Sequence, residues 1–453
     1  MIKKIGFISA NNYKEPYLVY PIGMSYLITY LKAKFKDIDI ECFDFNLGDY
    51  NDYESFISTN NFDCLCISLR NLDDVNIFEK NSFLLHYKKI ISISRNLLDI
   101  PIIIGGPAFS VHPKYMFKEL LPDYGIVGEG EISLYQLLDC ISKENLDGIK
   151  RIEGVVYDLG GEIIINERSV FVESPKLKID SSLANFYFEH SGMIGLQTKR
   201  GCPNSCIYCS YPNVDGKIVR TLDPKIVVEN IKEIKDKENV DYLFFTDSVF
   251  NICKDYNEEL AHRIIEQNVK VNWGAYFSPK NLSKKELKLY KDAGLTHIEF
   301  GSESFSDITL EAYSKGFRFS DILTQSRNAS DLGIFYAHFL ILAGYGETEE
   351  SLNETINNSK LLGTTVCFPF VGMRIYPNTK LCDIALSEGI INCEKDLLSP
   401  KYYISPDVKL EGIEDRAKAS GQKWVFPNDK TSPIMDKLRK RKYKGPLWEF
   451  LRY

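Results

Sequence analysis

The stretch "KRGCPNSCIYCSYP" (199–212) sets Cys202, Cys206 and Cys209 in the spacing C-x3-C-x2-C, directly after a strand-like run. Thiolates are soft ligands suited to iron–sulfur clusters, zinc or copper(I), and the ligand count separates these. A structural zinc site is closed by four ligands. No second C-x2-C pair or nearby H-x3-H accompanies the three thiols, and His190, the closest histidine in sequence, stands alone. A [4Fe–4S] cluster held by three thiolates leaves one iron free for a substrate or cofactor, so the missing fourth ligand is itself informative. The competing reading is three unligated or zinc-bound thiols in a loop.

Working outward, residues from about 191 to 390 alternate strand and helix patterns. "MIGLQTKRG", "DYLFFTDSVF", "VNWGAYFS", "HIEFGSES", "FYAHFLILAGYG" and "VCFPFVGMRIYP" are six strands, separated by helical segments such as "PKIVVENIKEIKDK". Six βα units are too few to close an eight-stranded barrel and predict an open, partial (β/α)6 barrel of the TIM type. Polar residues collect at its strand ends: Asp247, Ser302, Glu303 and Arg374. Residues 1–142 carry a second α/β alternation, with "IKKIGFIS", "DIDIECFDF", "FDCLCISL", "IPIIIGG" and "YGIVGEGE" as continuous apolar strands. Such runs predict a parallel, Rossmann-like sheet covered on both faces, with ligands outside the carboxyl ends of the strands. Those ends carry "SLRN" (68–71), "GGPAFS" (105–110) and "GEGE" (128–131). Between the two units, 143–190 reads as a hairpin at Gly160-Gly161 followed by a linker, and 391–453 as a capping segment.

At 453 residues the chain exceeds the size at which one hydrophobic core stops growing, so several domains are expected. A net charge of -7 provides no overall basic field for a phosphate backbone, which argues against nucleic acid as a partner. The start "MIKKIGFISANNY" opens directly in a strand pattern, and no apolar run is long enough to span a membrane. The 11 cysteines are odd in number and scattered, several within apolar strands, which points to reduced thiols and a cytoplasmic protein.

The cysteine loop, with Tyr208 just before its third thiol, resembles that of the radical S-adenosylmethionine (SAM) superfamily. "FFTDSVFN", "FGSES" and "GYGETEES" resemble the family's second strand, its ribose- and amino-group-binding strand and the turn after its fifth, in that order. The resemblance implies that Cys202, Cys206 and Cys209 hold a [4Fe–4S] cluster whose open iron chelates SAM. The cluster, fed by an external donor such as flavodoxin or ferredoxin, then cleaves SAM. It also implies that Tyr208, Asp247, Ser302, Glu303 and Arg374 lie at the cofactor. Asp247, Glu299 and Glu303 are carboxylates for the SAM amino group, the ribose or the substrate, and Glu299 and Glu303 are candidates to ligate the fourth iron.

The N-terminal motifs "YPIGMSYLITYL", "IIIGGPAFS" and "IVGEGE" resemble the cobalamin-binding domain of the B12-dependent radical SAM enzymes. The cobalamin contacts implied are Pro21, Gly23, Ser68, Leu69, Arg70, Asn71, Gly105, Gly106, Pro107, Gly128, Glu129, Gly130 and Glu131. The D-x-H-x-x-G motif of a lower axial histidine is absent, and His86 and His112 lie outside any such motif. "SLRN" instead resembles the same position in the tryptophan C2-methyltransferase-like members. The implication is that Arg70 lies beneath the cobalt without ligating it, since a permanently charged guanidinium is a poor ligand. The alternative is a surface pairing of Arg70 with Asp73 or Asp74. The resulting expectation is a methyltransferase that moves a methyl group from SAM through cobalamin to an unreactive carbon of a small molecule or peptide. Ring closure, contraction or rearrangement without methyl transfer is the alternative, and a cobalamin-binding sensor the remote one. The basic "DKLRKRKYKG" reads as a solvated helix end, and "GPLWEFLRY" as a segment that closes over the barrel mouth or packs outside it.

Overall fold

Two seven-stranded sheets, each strand run flanked by helices, organise the chain. A computed structural model describes residues 2–169, 171–172 and 176–452. In the first sheet the spatial order is Asp39–Asp44, Lys4–Ser9, Cys64–Ser68, Ile102–Gly105, Tyr124–Ile126, Val155–Leu159 and Glu162–Ile165. The first five strands are parallel and both faces are buried, which is why "CLCIS" and "IIIG" lack polar alternation. One face packs Ile8, Leu65, Ile67 and Phe109, and the other Phe7, Cys66, Ile103 and Leu134. Strand order reverses between Lys4–Ser9 and Cys64–Ser68, which opens a crevice at their carboxyl ends, where "SLRN" begins.

The hairpin at Gly160-Gly161 forms, but its first strand pairs antiparallel with Tyr124–Ile126 and carries the second along, so both extend the first sheet. A hairpin alone is only marginally stable, and the exposed edge of the parallel sheet supplies the missing partner. The linker expected after it lies in part outside the described residues.

The second sheet is all parallel, in the order Lys423–Trp424, Val366–Val371, Phe335–Leu342, Leu295–Glu303, Asn272–Phe277, Tyr242–Phe245 and Ile194–Leu196. Its six principal strands are those expected. The seventh, Lys423–Trp424, comes from the C-terminal segment and is too short to show periodicity. Leu243, Phe245, Trp273, Phe277, Ile298 and Phe300 join Val227, Ile231, Leu260 and Tyr290 of the surrounding helices in one core. The alternate positions, among them Tyr242, Gly274, Tyr276, His297, Glu299, Gly301 and Ala337, therefore face the lumen.

"GPLWEFLRY" neither covers the mouth nor packs outside. It enters at the amino ends of the strands, where Leu447, Trp448 and Leu451 cluster with Ala337, Val366, Phe335 and Phe368 and form the lumen's floor. An open barrel leaves its apolar interior wet, and the chain's own aromatic end covers it. The helix Ser432–Lys440 brings it there: Arg439 Nε donates to the His190 carbonyl at 2.7 Å, and Lys444 Nζ lies 4.0 Å over the Phe188 ring. Among the described residues no helix is long and apolar enough to cross a membrane.

Candidate functional site

The cysteine loop leaves the first barrel strand through a two-residue ribbon, Lys199–Arg200 against Arg220–Thr221. Gly201 has φ +91°, and a Cβ there would lie 2.1 Å from the Ile218 carbonyl oxygen, so only glycine fits. Cys202 N–H donates to Gly216 O at 3.0 Å, and buried Ile207 anchors the loop by donating to Tyr313 O and accepting from Leu381 N–H. Cys202 is buried, while Cys206 and Cys209 are half-buried. Burial raises the Cys202 and Cys209 thiols, Cys209 to about 12, and each is raised further by a neighbouring thiol. Three soft donors on one rigid, desolvated loop fit a positively charged iron–sulfur core. Among the described residues no three such groups converge on a point that would hold a single ion.

Lys315, distant in sequence and not foreseen from it, stands beside this loop. Its Nζ lies 3.3 Å from Tyr208 Oη, 3.3 Å from Glu303 Oε1 and 3.7 Å from Cys206 Sγ. Burial alone would lower the ammonium, but the charges of Glu303 and Cys206 raise it on balance. Glu303 sits where the pairing with the next strand shifts register, and its φ of +63° turns its side chain toward the lysine. Tyr208 and Glu303 thus meet at Lys315, beside Cys206.

Three other strand-end residues do not join them. Asp247 is buried against Lys199 at 2.8 Å and accepts from Thr198 and Lys199 N–H, so both its oxygens are occupied. Ser302 faces the outer core and hydrogen-bonds His338 Nδ1 at 2.8 Å. Arg374 is clamped to Asp73 of the first domain, with Nε and Nη2 each 2.8 Å from Oδ2, and it also donates to the carbonyls of Ile375, Leu397 and Lys401. Strand alternation claims Ser302 and the domain interface Arg374, while Asp247 is taken up by the backbone and side chains that lead into the loop.

Across the interface, a cavity of about 180 Å³ opens at the carboxyl ends of the first sheet. Gly23, Ser68, Gly105, Gly106, Pro107, Gly128 and Gly130 line it, together with Gln197, Arg200 and Asp215 of the second domain. A Cβ on Gly23 would meet nothing within 4 Å, which leaves a backbone cradle there for a bulky group. Gly106, φ +95°, is needed for a second reason: a Cβ would lie 2.6 Å from Leu69 O, to which Ala108 N–H donates. Pro21 only precedes the helix Ile22–Lys34, and Leu69 is wholly buried. Glu129 and Glu131, expected at the cofactor, line the same cavity and also bind Arg200 at 3.0 and 2.8 Å, with Arg220 on Glu129 at 2.5 Å. Burial works against ionising Glu129, yet the two arginines hold its carboxyl below the usual range.

Arg70 is half-buried at the switch point and bonds Asn71 Oδ1 at 3.1 Å. Asn71 is pinned in turn by Tyr87, whose hydroxyl donates to its carbonyl at 2.6 Å. Asp73, one alternative partner for Arg70, is taken by Arg374, and Asp74 is held by Asn81 at 2.8 Å. His86 and His112 bond the Ala10 and Glu394 carbonyls through Nε2 at 2.8 and 2.9 Å. Arg70 instead acts by its charge on three tyrosines. Burial raises the phenols of Tyr17, Tyr211 and Tyr276, Tyr211 to about 12, and the Arg70 charge pulls each back. Tyr211 and Tyr276 are 50% and 37% exposed by area, and the protein packed around them still pushes both phenols up. Tyr276 stands on the lumen face beside Glu299, whose carboxylate rests on Trp448 of the floor, and Tyr211 opens the short helix that follows the cysteine loop.

Residues 196–358 match the model of the Radical SAM superfamily. An uncharacterised methyltransferase of Pyrococcus horikoshii is 24% identical over 326 residues, 70% of each chain. An anaerobic magnesium-protoporphyrin IX monomethyl ester cyclase of Cereibacter sphaeroides is 26% identical over 56% of this chain, and the match spans 43% of that relative's length. Among solved structures, the radical SAM methyltransferase TsrM from Kitasatospora setae, bound to tryptophan substrate and a SAM analogue, superposes with a TM-score of 0.91 at 19% identity, covering 99% of this chain and 97% of that one. A second structure of TsrM, with cobalamin and a [4Fe–4S] cluster, gives 0.89 at 18% identity over 100% and 97%. Residues 196–358 are a radical SAM domain, and the chain as a whole has the two-domain fold of the cobalamin-dependent radical SAM enzyme TsrM.

Proposed function

We propose that this protein is a cobalamin- and SAM-dependent radical SAM enzyme that transfers a methyl group to an unreactive carbon of a small molecule. The observation that carries the reading is a three-thiol loop on the second domain together with an arginine at the first sheet's switch point that makes no carboxylate ion pair among the described residues. Cys202, Cys206 and Cys209 would hold the [4Fe–4S] cluster; Gly23, Ser68, Gly105, Gly106, Gly128 and Gly130 would cradle the cobalamin. When bound, these groups supply one-electron reduction of SAM and a carrier for its methyl group.

The chain's own residues then have definable tasks. Lys315 and Glu303 place a cation and a carboxylate beside the cysteines, complementary to the carboxylate and ammonium of SAM. Arg70, held by Asn71, would present a permanent charge rather than a ligating lone pair to a cobalamin bound in the crevice. The tyrosines exclude water around the reacting atoms, which a radical intermediate requires. Electrons would come from an external donor such as flavodoxin or ferredoxin. A second reading, ring closure without methyl transfer, draws on the cyclase relative.

Anaerobic reconstitution with iron, sulfide and cobalamin, followed by mass spectrometry of candidate metabolites, tests the proposal. A product heavier by one methylene supports it. An unmethylated product with SAM cleaved favours the second reading, and no cleavage of SAM refutes both.

A further inference from the structure

Resting on that proposed function, we infer that Glu299 is the carboxylate that anchors the substrate, and that the barrel lumen takes a small molecule presenting a protonated amine. Glu299 is 2% exposed, on the lumen face of the strand Leu295–Glu303 beside Tyr276. Trp448 Nε1 donates to its Oε1 at 3.0 Å and is the one hydrogen-bond partner of this carboxylate among the described residues. That indole orients the carboxylate without neutralising it. The nearby cation candidate on the same strand, His297, faces Glu449 at 3.2 Å, and no lysine or arginine makes an ion pair with Glu299 among the described residues.

A buried carboxylate with one neutral hydrogen bond is costly unless a cation completes it. Burial accordingly pushes the Glu299 carboxyl up to about 7, only partly offset by Trp448. Its charge reaches the phenols of Tyr17 and Tyr276, the latter directly across the strand pair, and aromatic faces suit an ammonium that the carboxylate attracts. A merely structural acid would bury its second oxygen against a donor of the protein, as Asp247 does. The geometry also limits size. Glu303, at the cysteine loop, lies four residues further along the strand, which is about 13 Å at the usual rise per residue. That separation matches a molecule of amino-acid or biogenic-amine dimensions with its amine at Glu299.

The test uses full-length protein reconstituted with cluster and cobalamin, and calorimetric titration with tyramine, tryptamine and their N-acetyl derivatives. A charge-assisted hydrogen bond corresponds to roughly a 10- to 100-fold preference for the amine over its acetamide. We expect that ratio in the wild type and its collapse to near unity in Glu299→Gln, which keeps the shape and the bond from Trp448. In Trp448→Phe the charge remains and the preference persists. The proposal is overturned if amine and acetamide bind alike, if neither amine binds, if Glu299→Gln keeps the ratio, or if Trp448→Phe loses it equally, which would trace the effect to floor packing. Cobalamin content, cluster absorbance and SAM cleavage in the same samples separate this outcome from failure of the proposed function.

Discussion

Replacing Asp73 by alanine is expected to loosen the two domains at their buried clamp. The Asp73 and Arg374 side chains are 0% and 2% exposed, and two guanidinium nitrogens lie 2.8 Å from one carboxylate oxygen. In Asp73→Ala the guanidinium keeps only carbonyl partners and its charge stays buried without a counter-ion. Such a change costs about 3–5 kcal/mol. The double variant Asp73→Ala/Arg374→Met removes the stranded charge, and it is expected to recover at least half of the loss. Because the chain has two domains, the appropriate readout is native-state hydrogen exchange of the segment 69–76, compared with the barrel strands, rather than one melting temperature. A loss below about 1 kcal/mol, or a double variant no better than the single, would refute the clamp. The same double variant distinguishes the clamp from a SAM ligand. If Arg374 served SAM, affinity for SAM in the reconstituted double variant would fall more than about tenfold, equivalent to ~1.4 kcal/mol; the clamp leaves it nearly unchanged.

Three further outcomes are expected. Cys206→Ala should abolish the visible absorbance and electron paramagnetic resonance signal of the reconstituted cluster while leaving cobalamin binding, because the two sites lie on different domains. Arg70→Leu should change the cob(II)alamin spectrum and lower turnover at least tenfold, about 1.4 kcal/mol of barrier; an unchanged spectrum and rate would remove Arg70 from the cobalt's lower face. Glu347, fully buried in the turn after the fifth barrel strand, is pushed up to about 8 by burial, although the Ala343 N–H hydrogen bond opposes this. Its folded pKa lies above its unfolded one, so the stabilisation is complete below about 4.5 and is lost as pH rises through about 8. Glu347→Gln cannot ionise and should unfold at higher urea than wild type at pH 9, by up to roughly 5 kcal/mol in the limit of no relaxation; equal midpoints would contradict the burial argument.

What local spacing encodes was open to reading in one dimension. The C-x3-C-x2-C loop, the continuous apolar strands of both sheets and the glycines at 105–106 and 128–130 declare themselves because each feature lies within one turn or one strand. Two α/β units, the cysteine site and a crevice at the first sheet's carboxyl ends follow from those alone. What required the tertiary structure were partners remote in sequence. Asp247 and Arg374 have the residue types and strand-end positions of cofactor ligands, and only the fold shows Lys199 and Asp73 occupying them. Glu129 and Glu131 likewise meet Arg200 because the domains close on one another. Lys315 carries no signal in "YSKGF", and it reaches Cys206 only through the path of the chain after strand Leu295–Glu303. Trp448, near the C-terminus, gives Glu299 its orientation by entering the open end of the barrel. Residue type and spacing determine which groups a chain can offer, whereas burial and counter-charge, both products of long-range packing, decide which of them remain free for chemistry.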